Sequence, residues 1–192
     1  LARTRTDYNK AQYLRIQAYH LQHDANPPLY MEALALLEQL LTECPEPTQL
    51  ASAYLQQAQC FESLRSIEKA VEAFQAALKA DRQPTGVKTT APLEFAVFVA
   101  RNGLRKHYRE ALSALDHAHM LTLFPIGGFK LHAAIALILA DQGKKRQAQG
   151  HAKLALAAAA VEDSGLRNRP TVGLVGEIDS VLLARLSELA GA

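Results

Sequence analysis

The sequence predicts an all-α protein: about four antiparallel helix hairpins in series, with one more helix at the C-terminal end. Three observations predict it. Apolar and small residues recur at steps of three and four along most of the chain, the spacing of one helix face. The stretch from Ser52 to Ala80 reads as one complete helix–turn–helix unit. The second half of that unit, EKAVEAFQAALKA around Ala70, has counterparts around Ala33, Ala111 and Ala148, at intervals of 37, 41 and 37 residues. Leu37, Phe74, Leu115 and Ala152 follow these anchors by four residues, and Leu40, Ala77, Ala118 and Ala155 by three more. A lone hairpin of this kind cannot bury both its faces, so it needs neighbours.

Taken in order, Leu1 to Thr6 reads as a loose end and a first helix runs from about Asp7 to Gln22. Asn26-Pro27-Pro28 breaks it. A leucine-rich helix follows, about Leu29 to Thr42, and Glu43 to Pro47 connects it to the central unit. There the turn falls near Leu64 to Ser66, with Ser66 as cap and Glu68 as first-turn acid of the second helix. Asp81 to Thr90 is a polar loop, with Thr90 placed to cap a helix from about Pro92 to Asn102. That helix is apolar nearly all round. Gly103 to His107 turns into a helix from about Tyr108 to Leu121, and Thr122 to Gly128 is a loop. A second all-round apolar helix, about Phe129 to Asp141, stops at Gly143 and is followed by an Ala-rich partner from Lys144 to Val161. Glu162 to Pro170 is a polar loop. Leu174, Ile178, Leu182, Leu186 and Leu189 form the stripe of a final helix, about 172–190, which caps the array. The connections between units are longer than the turns inside them, and in an array they share one edge, where binding residues are often placed.

Tyr54, Ala58 and Phe61 in the first helix, then Ala70, Phe74 and Ala77 in the second, with Pro45 closing the preceding unit, form a pattern of large, small and aromatic residues followed by Ala-x3-Phe. It resembles the tetratricopeptide-repeat (TPR) family over roughly residues 10 to 160. The period is longer than that family's ~34. Asn102 stands where an aromatic is expected, His132 where a large apolar residue is, and Ala152 replaces an aromatic. The resemblance implies a right-handed α-solenoid, a single domain over 1–192 with units at about 7–45, 48–82, 91–122 and 128–161.

Bulk properties narrow the field. Net charge is +2 with His neutral, so no strongly charged partner is implied. Two cysteines, Cys44 and Cys60, cannot make a disulfide framework and read as buried thiols of a reducing, cytoplasmic compartment. The longest apolar stretch, Ala133 to Ala140, falls well short of the roughly 20 residues a membrane span needs. The chain begins at Leu1 rather than Met, so it reads as a piece of a longer protein, with any targeting segment upstream out of view.

Chemistry-bearing residues are sparse. His20 and His23, three apart, can share a helix face, but no Cys or carboxylate completes a metal set. His117 and His119 fall on different faces. Gly127-Gly128 before a helix lacks the Gly-Lys-Ser/Thr ending of a phosphate loop. Lys144, Lys145 and Arg146, with Arg167 and Arg169, form a small basic edge without the domain-wide basic balance of a nucleic-acid binder. No carboxylate pair stands out as an acid–base couple. The expectation is therefore no enzyme, no metal and no cofactor. An enzyme would need several of His20, His23, His117, His119 and His132 close together in one deep pocket.

What the resemblance implies instead is binding. In TPR-like arrays the first helices line a concave groove for peptide segments. Carried over by position, the groove residues are Leu55, Gln59, Glu62, Leu93, Ala96, Ala100, Leu104, Ala133 and Leu137, flanked by Ser52, Ser63 and Lys130. Leu14 and Ala18 stand where a carboxylate clamp would need polar donors, which argues against recognition of a peptide C-terminus. The expected function is a non-catalytic protein- or peptide-binding scaffold. The alternative is a ligand- or peptide-sensing module of a larger regulator. A helix apolar on every side is buried on every side, so the competing expectation is a groove whose apolar half is filled by the chain's own last helix.

Overall fold

In this computed structural model the residues described are 2–23, 27–116 and 118–191, without the side chains of 2–5 and 119. Among them all regular structure is helical and no strand is present. No described helix is long and apolar enough to cross a membrane. The chain divides into two compact units, Leu1–Ala91 and Pro92–Ala192.

The first unit holds α1 (Ala2–His23), α2 (Pro27–Glu43), α3 (Pro47–Ser63) and α4 (Ile67–Asp81). Each packs on the next, and α1 also reaches α3. Its core joins Ala11, Leu14 and Ala18 of α1, Ala33, Leu37 and Leu40 of α2, then Cys44, and Ala53 and Cys60 of α3. The small residues let three helix backbones approach while the leucines fill the space between them. Helix α1 starts at Ala2, where a loose end was expected. Ala2 to Thr6 contains no Gly or Pro to stop it, and Ala and Arg are good helix formers. Prolines open α2 and α3, where the missing N–H would have no partner inside the helix anyway.

Between α3 and α4, Arg65 adopts the left-handed conformation at φ 59°. Its N–H donates to Glu62 O (2.9 Å), and that of Ser66 to Phe61 O (2.8 Å), so the last carbonyls of α3 are satisfied. Ser66 does precede α4, but its side chain makes no capping bond, because its ψ of 74° lies outside the extended region such a cap uses.

The second unit holds most of α5 (Ala91–Arg101), then α6 (Tyr108–Leu115), α7 (Pro125–Asp141), α8 (Lys145–Ala159) and α9 (Ser180–Ala190), with short 3-10 turns at Arg105–His107 and His119–Thr122. Helix α7 pairs with α8, α6 lies on α7, and α9 packs on both α8 and α7. Lys130 of α7 is paired with Glu94 of α5. The turns after α5 and α7 repeat the geometry seen at Arg65. Leu104 N–H donates to Val99 O (3.0 Å) around Gly103, and Lys144 N–H to Leu139 O (2.9 Å) around Gly143. After Gly103 the chain adds the three-residue turn Arg105–His107, which accounts for most of the longer 41-residue interval.

Three expected boundaries move. Helix α6 stops at Leu115, six residues before the expected end at Leu121. Helix α7 starts at Pro125, so Gly127 and Gly128 are helical and not part of a loop. A Cβ on Gly127 would lie 1.8 Å from the Leu121 carbonyl oxygen, so only glycine lets the preceding turn pass this close. Helix α9 starts at Ser180 instead of about 172, leaving Leu174 and Ile178 ahead of it. Gly173 at φ 74° and Gly176 interrupt the stripe, and the Asp179 carboxylate accepts a capping bond from Leu182 N–H at 2.9 Å.

The recurring register is a packing register in both units. Ala33 and Ala70 in the first, and Ala111 and Ala148 in the second, are 0% exposed. The positions four and seven residues on are also buried in every case, from Leu37 and Leu40 through Phe74 and Ala77 to Ala155.

Candidate functional site

The nine groove positions do not share one environment. Leu93, Ala96, Ala100, Ala133 and Leu137 are buried, and Leu55 nearly so at 8% exposure. In this conformation these side chains offer no surface to a partner. Ala18, Leu55, Ala96 and Ala133 all stand fifteen residues before their anchor alanine, and all four are buried whatever their size. Leu104 is half-buried at the turn after α5, where its N–H closes that helix.

Gln59 and Glu62 on α3 remain half-exposed. Gln22 of α1 donates from Nε2 to Gln59 Oε1 at 2.9 Å, a polar rung between two first helices of the first unit. Gln22 Oε1 has no hydrogen-bond partner. The exposed Tyr19 lies on the same helix. His23 stacks against it with centroids 3.9 Å apart, and His20 meets it edge-on at 5.9 Å. His23 Nδ1–H donates to the Tyr19 carbonyl at 2.8 Å. Both histidines are thus engaged with Tyr19.

In the second unit an apolar cleft of about 440 Å³ opens between α6 and α7. Leu112 and Leu115 form one wall and Leu131 and Ile135 the other, with Asp116 and Thr122 adding polar groups. Sequence reasoning missed this cleft because it exists only where α6 stops early. A continuous helix to Leu121 would have continued across it.

A further pair of side chains came together without a sequence signal having been read for it. His132 of α7 and His151 of α8 point their Nδ1 atoms at each other, 3.1 Å apart. Burial holds both below the ordinary histidine value, and His151 adds its own effect on His132. The two stand ten residues before Gln142 and seven after Lys144, and the antiparallel pairing of α7 with α8 brings them together.

Both cysteines are buried. Cys60 is fully buried and its thiol is pushed up to about 11 by that burial; the Cys44 thiol is raised for the same reason. Neither is poised as a thiolate nucleophile. Lys144, Lys145, Arg146, Arg167 and Arg169 are all exposed. His117 and the side chain of His119 lie outside the described residues. Among the described residues, no three or more His, Cys, Asp or Glu are grouped to hold a metal. No protein-family model matches the chain, and no curated protein sequence matches it.

Proposed function

We propose that this chain is a non-catalytic protein- or peptide-binding scaffold, a right-handed TPR-like solenoid of helix hairpins closed by α9, working in the cytoplasm. The observation that supports this reading is the open apolar cleft between α6 and α7, beside modules whose repeated register is otherwise fully buried. A binding protein needs a place to bury an apolar anchor and polar groups to orient what carries it. Leu112, Leu115, Leu131 and Ile135 supply the first in the second unit. Asp116 favours a basic residue beside the anchor.

Peptide display against the full chain tests this, with an Ile135→Asp variant that keeps its helical signal as the reference. Enrichment of apolar-plus-basic peptides by the parent, and loss of their binding by at least about tenfold in the variant, supports the proposal. Equal enrichment by both, or none by either, overturns it.

The second reading, a ligand-sensing module of a larger regulator, is favoured by the cleft's size, which falls in the ~300–1,000 Å³ range of small-molecule pockets. Saturable binding of small apolar compounds at Ile135, with no peptide enrichment, would select it.

A further inference from the structure

His132 of α7 meets His151 of α8 across the hairpin. His132 stands sixteen residues before its anchor Ala148, and His151 three after it. The same two register positions hold Tyr54 and Ala73 in the central module, and Phe95 and Ala114 in the next. Ala73, Phe95 and Ala114 are buried and Tyr54 is half-buried, while the first module holds Gln17 and Leu36 at these positions. In the α7–α8 hairpin both positions are imidazoles, with half-buried rings 5.2 Å apart between centroids.

We propose that His132 and His151 form a two-imidazole chelating site for a borderline divalent transition-metal ion such as Zn²⁺, Ni²⁺ or Cu²⁺, clamping α7 to α8. The argument is geometric. An ion about 2.0–2.1 Å from each nitrogen would see the two Nδ1 atoms, 3.1 Å apart, at an angle near 100°. That lies between a square or octahedral cis pair and a tetrahedral one; the ring that donates the Nδ1–H···Nδ1 hydrogen bond must move its proton to Nε2 before both nitrogens can bind. Neutral imidazole is the ligand form. His151 lines a solvent-facing depression of about 600 Å³ with Gly150, Gln147, Arg146, Leu139 and Leu154, where water can complete the coordination shell. Imidazole suits Zn²⁺, Cu²⁺ and Ni²⁺, whereas Mg²⁺ and Ca²⁺ prefer oxygen ligands. Arg146 beside the pair opposes a cation, so the site is weaker than a closed four-ligand cage.

The test uses the full chain and the metal salts alone. Ni²⁺ and Zn²⁺ are titrated calorimetrically at pH 7.5, with thermal unfolding followed in parallel. The reference is His132→Tyr/His151→Ala, which restores the pairing of Tyr54 with Ala73 and so should fold. A second variant, His20→Ala/His23→Ala, removes the other close histidines. The expected result is one tight equivalent that raises Tm, weakened at least about tenfold in the first variant and unchanged in the second. Cu²⁺ bound to the parent should show two nitrogen couplings in its spin-resonance spectrum, and none from this site in the first variant. Metal affinity equal in parent and first variant, or loss of it in the second, overturns the proposal. So does the absence of any binding by the parent.

Discussion

Gly127 and Gly150 both lie inside helices, yet replacing each with alanine should act in opposite directions. A Cβ at Gly127 meets the Leu121 carbonyl oxygen at 1.8 Å, so Gly127→Ala must push α7 and the preceding turn apart. A cost of about 1–3 kcal/mol is expected, read as a lower denaturant midpoint. At Gly150 a Cβ meets nothing within 4 Å, so Gly150→Ala should add roughly 0.5–1 kcal/mol by restricting the unfolded chain. Arg65 is the non-glycine counterpart of Gly103 and Gly143 in their turns. Left-handed backbone costs an ordinary residue about 1–2 kcal/mol, so Arg65→Gly should raise stability by about 1 kcal/mol. The histidine pair makes a further prediction at this scale. Both groups titrate below 6.5 in the folded chain, so as pH falls the unfolded chain takes up their protons first. Their contribution is fully present above the unfolded value near 6.5 and is lost as pH falls through the folded values. Metal-free chevrons measured across that window should show a fall in stability that is smaller in His132→Tyr/His151→Ala.

The helices themselves show which parts of the fold were legible. Period and anchor alanines placed every helix from α1 to α8, because burial on one face leaves a spacing that survives in sequence. Phe74 is the plainest case. It is completely buried on α4, so Phe74→Ala should cost about 3–5 kcal/mol. A midpoint equal to the parent's would mean its register is misread. Helix ends were less legible, because tertiary contacts decide them. The carbonyl of Leu121 over Gly127, and the Asp179 cap on α9, are set by groups that local spacing does not report. Leu174 and Ile178 continue the apolar stripe of α9 in sequence, but Gly173 and Gly176 take that segment out of the helix. The left-handed turn at Arg65 was hidden for another reason: the residue there carries none of the usual glycine signature.

At the level of the whole molecule, the sequence carried the architecture further than the site. Small residues at Ala33, Ala70, Ala111 and Ala148 imply close helix approach, and each is fully buried. Whether a first-helix residue faces a partner or a neighbouring helix is a different matter, since the same apolar spacing serves both. Leu93, Ala96, Ala133 and Leu137 fit a groove by position and are nonetheless buried. The cleft at Ile135 arises from a helix that ends early, and the histidine pair from two positions that meet only once the hairpin closes. Both depend on three-dimensional adjacency, which a linear period does not encode.

The segment leading to α9 is fastened at both its ends. Ile126 N–H donates to Gly173 O at 2.9 Å, Gly173 lies against the Phe124 ring, and α9 itself packs on α7 and α8. The stretch from Val161 to Pro170, between the end of α8 and Gly173, is almost wholly exposed. A protease that cuts there should therefore nick the polypeptide without releasing its tail: two bands on a denaturing gel, one unchanged peak on gel filtration.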